Sequence, residues 1–193
     1  MLYAKTVCDQ LSDMEIIQQA LKDADYFSCL YDRYEPRLLA YIRRITPVST
    51  AEAEDILQEA FIKIWRHLNE VDADMKVSPW IYRIVHNETI SFSRKKVSYG
   101  KNRTVAAEAA LMEVAEAAVE YDHIAEDIST RITQEVLDAL PVKYKTILVL
   151  RYWEEMSYEE ISDVLHIPEG TVATQLNRAK KAFAQLADQH PLK

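Results

Sequence analysis

Apolar residues recur every three or four positions along most of the chain, a spacing that predicts amphipathic helices rather than strands. The first all-helical segment runs from about Leu11 to Lys96. Ser12-x-x-Glu15 is a capping box, and Met14, Ile16, Ile17, Ala20 and Leu21 follow it in helical register. A second helix spans about Tyr26 to Ile45, with Leu30, Tyr34, Leu38, Tyr41, Ile42 and Ile45 on one face. Pro36 inside it predicts a kink or a break, and Pro47 stops it. Ser49-x-x-Glu52 opens a third helix that reaches Leu68 through Ile56, Leu57, Ala60, Phe61, Ile64 and Trp65. After a polar, acidic loop at Asn69–Val77, Ser78 at the N-cap and Pro79 at the first helical position predict a fourth helix. It continues through Trp80, Ile81, Ile84, Val85 and Ile90 to Arg94.

The periodicity weakens between Val97 and Thr130, where Ala and Glu dominate, so this stretch reads as a linker. A third segment, Arg131–Ala187, recovers it, with an apolar helix near Tyr144–Tyr152 and two further helices after Ser157. Composition agrees: with 2 Gly and 6 Pro in 193 residues, little interrupts helix formation. The expected architecture is all-α, with two small helical domains at 1–96 and 131–193 joined by an acidic linker at 97–130.

Charge refines this picture. The net charge of −8 argues against indiscriminate nucleic-acid binding. Its distribution is uneven, however. Glu108–Asp127 holds seven acidic residues with no Lys or Arg, whereas basic residues gather at Arg94-Lys95-Lys96 and at Arg178, Lys180 and Lys181. Such clusters suit local phosphate contacts on an otherwise acidic protein. No apolar run is long enough to cross a bilayer, and MLYAKTVCDQLSD lacks a basic stretch followed by an apolar one. We therefore expect a cytoplasmic chain with no membrane insertion. Cys8 and Cys29 form no C-x-x-C pair and have no zinc spacing, so they read as reduced thiols. No metal or other cofactor is expected, and neither a phosphate loop nor a nucleophile–base pattern marks an enzyme.

The last segment carries the clearest local motif. Ser157-x-x-Glu160 caps a short helix, His166-Ile167-Pro168 forms a turn, and EGTVATQLNRAKKAF begins another helix. Ile161, Val164 and Leu165 face Val172 and Leu176 in this reading, which describes a helix-turn-helix. His166 occupies a place where many such turns have Gly, and His tolerates a left-handed backbone better than most residues. Gly170, Thr171, Ala173, Thr174 and Asn177 are small or polar enough to approach base edges, while Arg178 and Lys181 suit phosphates. The plain alternative is an αα-hairpin that merely packs.

The stretch EAEDILQEAFIKIWRHL resembles the polymerase-binding helix of bacterial sigma factors of the extracytoplasmic-function (ECF) type. Asp55, Gln58, Phe61, Ile62 and Trp65 match that pattern, with Glu54 beside them, and Glu52 replaces an Asp. SPWIYRIVHNETISFSRKK resembles the family's promoter-melting helix at Trp80, Tyr82, Arg83, Ile84 and Asn87. The region from Leu140 to Phe183 resembles its C-terminal domain. Together these matches cover nearly the whole chain outside the linker and both ends.

This resemblance implies a non-enzymatic subunit that binds the β and β′ subunits of core RNA polymerase and directs them to promoter DNA. Glu54, Asp55, Gln58, Phe61, Ile62 and Trp65 would meet the polymerase. Trp80, Tyr82, Arg83, His86, Asn87, Arg94 and Lys95 would meet the −10 element. Gly170, Thr171, Ala173, Thr174, Asn177, Arg178 and Lys181 would meet the −35 element. An anti-sigma factor or other regulator is a further implied partner, and the linker would pass close to the polymerase active centre. Core packing is the alternative for Phe61, Trp65 and Trp80, and a solvated helix end is the alternative for the Arg94 cluster. Two departures from the pattern bear on DNA contacts. Ala173 and Gln175 stand where basic residues are common, and the Asn69–Val77 loop lacks the usual Phe and Gly. An ordinary helix-turn-helix regulator, or a helical adaptor that binds only protein, are the competing readings.

Overall fold

The fold is seen in a computed structural model that describes residues 5–101 and 128–189. The acidic Glu108–Asp127 stretch lies outside those residues. Every regular element among the described residues is helical: α1 Lys5–Gln10, α2 Asp13–Ala20, α3 Phe27–Ile45, α4 Thr50–Arg66, α5 Val77–Lys101, α6 Ile128–Ala139, α7 Val142–Tyr152, α8 Tyr158–Leu165 and α9 Glu169–Gln189. Short 3-10 turns at Ala24–Tyr26 and Leu68–Glu70 lead into α3 and out of α4.

All three capping boxes form. Ser12, Ser49 and Ser157 each receive the backbone N–H of the Glu three residues on, and each Glu carboxylate returns to the serine N–H. These reciprocal bonds satisfy helix-end donors that have no partner within the helix. Hydrogen bonding to Ser157 also holds the Glu160 carboxyl below its ordinary pKa.

Three local expectations are corrected. Pro36 does not break α3, which runs unbroken for 19 residues. The bond that Pro36 cannot donate would have gone to Asp32, and both residues are exposed, so water can serve that carbonyl. Helix α5 begins at Val77, before the expected Ser78 cap. Pro79 is tolerated there because the first-turn N–H groups lack helical partners in any case. The same helix continues to Lys101, into the stretch read as linker. Finally, Cys8 and Cys29 are not separate thiols but a disulfide, with Cα atoms 5.3 Å apart. The unexpected α1 doubles back over α3 and brings together residues 21 positions apart, which sequence spacing alone does not show. Arg33 secures this corner, donating to Asp13 Oδ1 at 2.6 Å, to the Cys8 carbonyl at 2.6 Å and to the Leu11 carbonyl at 2.8 Å.

The N-terminal helices enclose a core built from Ile16, Ile17, Leu30, Leu38, Tyr41, Ile42, Leu57, Ile64 and Ile81. The C-terminal helices close around Leu137, Ile147, Val149, Ile161, Val164, Val172 and Leu176. The two halves do not stand apart. Helix α8 lies along the start of α5, α3 packs against α6 and α7, and the apolar clusters merge into one.

Candidate nucleic-acid interface

Helix α4 divides its residues cleanly. Ala53, Ile56, Leu57, Ala60, Phe61 and Ile64 are buried. Glu54, Asp55, Gln58, Ile62 and Trp65 are exposed, with Ile62 at 38% and Trp65 at 42% of their full area. Phe61 therefore separates from the other candidates: it is 4% exposed, tilted against the Tyr31 ring at 4.7 Å and edge-on to Phe27 at 6.0 Å. Trp65 leans its ring edge on Phe27 at 5.0 Å and leaves the rest to solvent. Asp55, Gln58, Ile62 and Trp65 thus form an outward face of mixed polarity, rigidly held by the core face behind it.

Helix α5 carries the −10 candidates in two groups. Asn87, Arg94 and Lys95 are exposed and Arg83 is half-buried. Lys96 is engaged with Glu52 at 2.7 Å, so the other two cations are the more accessible members of that cluster. Trp80 and Tyr82, by contrast, are 7% and 0% exposed and point into protein rather than solvent. The Tyr82 hydroxyl donates to Glu154, and burial together with that carboxylate raises its pKa far above the ordinary value. The Tyr82 hydroxyl is thus engaged by a residue of the C-terminal half, a non-local effect absent from the sequence pattern.

His86 lies beside this buried group, with Nδ1 3.0 Å from the Tyr41 hydroxyl. Desolvation and, secondarily, the Arg94 charge depress its pKa to about 4. The folded state therefore keeps the imidazole neutral at pH values where an unfolded His86 is protonated. Stability from this source is present above about 6.5 and falls as pH drops from there towards 4. Between pH 7 and pH 5 the loss is expected to be about 2 kcal/mol. The carboxylates with lowered pKa, Glu15, Glu52 and Glu160, start from 4.5 and so act mostly below this window. Urea unfolding at the two pH values measures the loss, and His86→Asn should largely abolish the difference.

The helix-turn-helix forms as read. His166 adopts the left-handed conformation, φ 55° and ψ 47°, and its turn is closed by Ser162 Oγ donating to the Ile167 carbonyl at 2.6 Å. Val172, Leu176 and Ala179 anchor α9 to the core. On the other side, Gly170, Thr174, Asn177, Arg178 and Lys181 are exposed, with Thr171 and Ala173 half-buried at the margin. Thr174 Oγ1 donates to the Gly170 carbonyl at 2.9 Å. A Cβ placed on Gly170 would meet nothing within 4 Å, so packing inside the chain does not require glycine there. The result is a small-residue start followed by polar and then cationic side chains on one exposed face.

Residues 30–98 match the Sigma-70 region 2 model and residues 130–183 match the Sigma-70 region 4 model. The ECF RNA polymerase sigma factor SigW of Bacillus subtilis is 37% identical, over 89% of this chain and 95% of its own. The chain belongs to the ECF RNA polymerase sigma factors. RNA polymerase sigma-H factor of Pseudomonas aeruginosa is 30% identical over 90% of this chain and 93% of its own. Among solved structures, the fold is similar to sigma factor RpoE in complex with the anti-sigma factor NepR from Bartonella quintana. That match has TM-score 0.65 and 18% identity, covering 84% of this chain and 96% of the other. CnrH in complex with the cytosolic domain of CnrY gives 0.66 and 22%, covering 92% and 97%.

The sigma factor is thus a promoter-specific transcription initiation factor rather than an enzyme, working with core RNA polymerase and promoter DNA. No described helix is long and apolar enough to cross a membrane. The matched regions correspond to the α3–α5 and α6–α9 portions of the fold. Glu154, which none of the sequence motifs singled out, joins them. It sits in the turn after α7, and its carboxylate is 3% exposed between Tyr82 and Arg37.

Proposed function

We propose that residues 1–96 bind core polymerase and the −10 element, that 97–130 tether the halves, and that 131–193 bind the −35 element. The observation that carries this reading is the coexistence of two outward faces of different chemistry. The α4 face, with Asp55, Gln58, Ile62 and Trp65, combines charge with a half-exposed indole and suits a protein partner. The α9 face, running from Gly170 to Lys181, suits the major groove followed by phosphate. Phe61 supports the polymerase face from behind, while Glu54 borders it.

On this reading Arg83, Asn87, Arg94 and Lys95 make the first contacts to the −10 region. Trp80 and Tyr82 offer aromatic surface for unstacked bases once uncovered, and stacking of that kind is worth about 1–3 kcal/mol per base. His86 supports Tyr41 beneath that surface. Promoter opening then needs no covalent chemistry from the chain, only capture of a strand that the polymerase separates. The protein acts in the cytoplasm, where core polymerase is found, and an anti-sigma factor or comparable regulator is a fitting further partner.

Permanganate footprinting of the polymerase–promoter complex tests the finer part. Arg83→Ala and Asn87→Ala should lower thymine reactivity in the melted region by several-fold while changing initial promoter binding less. Equal losses in binding and melting would remove the assigned role of α5 in opening.

A further inference from the structure

Helix α1 is too short to hold itself together. Its six residues fall well below the length at which an isolated helix persists in water, so its order comes from what it rests on. Val7, Asp9 and Gln10 are exposed, whereas Cys8 is 7% exposed. Against it lies Cys29, 1% exposed, with the two Cα atoms 5.3 Å apart, inside the range that a disulfide spans. Arg33, one turn along α3 from Cys29, donates to the Cys8 and Leu11 carbonyls. Sulfur bond and guanidinium thus clasp α1 from one face of α3.

The same turns of α3 support the face of α4 that carries Trp65. Phe27 and Tyr31 are also four apart: Phe27 meets the Trp65 ring edge-on at 5.0 Å, and Tyr31 tilts against Phe61 at 4.7 Å. Ser28 Oγ ties back to the Asp25 carbonyl at 2.7 Å, but Tyr26 at the N-cap contributes no side-chain cap to the first turn. A covalent tie at Cys29 fixes that turn from the α1 side. Phe27, two residues away, is then held as the shelf on which Trp65 leans.

Core polymerase works in the cytoplasm, where disulfides are rare and those that form are usually transient or redox-sensing. A permanent cross-link is the poorer account of a cysteine pair in such a chain.

We propose that Cys8 and Cys29 are a reversible redox site, a dithiol under reducing conditions that a small-molecule disulfide oxidises to the bond seen here, seating α1 and steadying Phe27 beneath Trp65. Cys8 is the entry thiol, because the short α1 can lift away while Cys29 stays in the core. Its thiolate attacks one sulfur of the small disulfide, and a small thiolate leaves. The Cys29 thiolate then attacks the Cys8 sulfur and displaces the second. Two protein thiols are oxidised, one small disulfide is reduced, and the two protons lost by the cysteines end on the small thiols. The consequence for polymerase rests on the assignment of the α4 face above; the redox chemistry does not.

Glutathione buffers, from a large excess of the reduced form to an excess of the oxidised form, test the site on the full chain. After acid quench and alkylation of the denatured chain, mass spectrometry should count both cysteines as free thiols at the reduced end and neither at the oxidised end. A bond that survives the reduced end is a fixed cross-link and overturns the proposal. Thiols that stay free, or finish as mixed disulfides, at the oxidised end overturn it equally. In hydrogen exchange, reduction should speed the α1 amides about tenfold or more while the middle of α3 stays protected; α1 amides indifferent to reduction overturn the seating of α1. Chain oxidised and then freed of reagent should bind labelled core polymerase about threefold or more tightly than reduced chain. Cys8→Ser/Cys29→Ser should bind like the reduced form after either treatment. Circular dichroism checks its helices, and Cys8→Ser alone takes its place if the double variant does not fold. Fluorotryptophan incorporation reads the same coupling without polymerase: the Trp65 resonance, assigned by its loss in Trp65→Phe, should shift on oxidation. An unchanged resonance, or equal affinity of the two forms, overturns the link to Trp65. Binding by neither form contradicts the assignment of α4 to the polymerase instead, and the resonance still decides the link.

Discussion

Replacing Asp55 and Trp65 together by alanine should weaken binding to core polymerase about a hundredfold or more. The expectation follows from what each side chain does in the free protein. Trp65 presents 42% of its area to solvent and Asp55 is exposed, so neither contributes greatly to the fold. A half-exposed Trp on a mixed face is the kind of residue that concentrates binding energy, and truncating such an anchor typically costs about 2 kcal/mol or more. An opposite charge facing Asp55 across a desolvated contact adds to that loss. Phe61→Ala is the instructive contrast. Its ring is 4% exposed against Tyr31 and Phe27, so its loss should cost about 3–5 kcal/mol of folding stability. Titration of labelled core polymerase with each variant, alongside urea unfolding, separates the two effects. A folded double variant with unchanged affinity would remove α4 from the polymerase interface.

The second large effect concerns the division of labour on α9. Asn177 is exposed, two turns into the helix, on the same face as Gly170 and Thr174. Its amide can both donate to and accept from a base edge, so Asn177→Ala should cost about 1–3 kcal/mol on the best −35 sequence and change which sequences are preferred. Lys181 lies one turn further on, also exposed, where the groove gives way to the backbone. Lys181→Ala should weaken all sites about equally and reduce the salt dependence by roughly one charge. A promoter library read by transcription resolves the two behaviours base by base. A shift at −10 rather than −35 on changing Asn177 would reverse the placement of the halves on the promoter.

The features legible in the sequence share a short range. Ser12, Ser49 and Ser157 announce their helices because a capping box is complete within four residues. The left-handed turn at His166 follows equally from local chemistry, since the tight spacing between α8 and α9 leaves few other backbones. That Asp55, Gln58, Ile62 and Trp65 share one side of α4 follows from their spacing of three and four residues. The same period does not decide how far a ring is buried, which is why Phe61 and Trp65 separate only in three dimensions.

What escaped the sequence is non-local. Trp80 and Tyr82 stand in the right motif, yet both are buried, and the Tyr82 hydroxyl is taken by a residue more than seventy positions away. Glu154 had no signal at all: one acid after an apolar helix is ordinarily a solvated helix end. Cys8 and Cys29 likewise show nothing in their spacing, because their approach depends on α1 folding back over α3. That α3 does not break at Pro36 has a different reason, since the cost of a missing helical bond depends on whether water reaches the orphaned carbonyl.

The most direct test of the sigma-factor account is transcription in vitro with purified core polymerase, a promoter library and the chain added or withheld. The account predicts discrete transcripts only when the chain is present, from templates sharing one −10 and one −35 sequence, with the Asp55→Ala/Trp65→Ala variant inactive at the same concentration. It also predicts weak binding of the chain alone to those promoter duplexes, because the net charge is −8 and polymerase sets the spacing of the two halves. Tight sequence-specific binding by the chain alone, with no polymerase-dependent transcript, would contradict it.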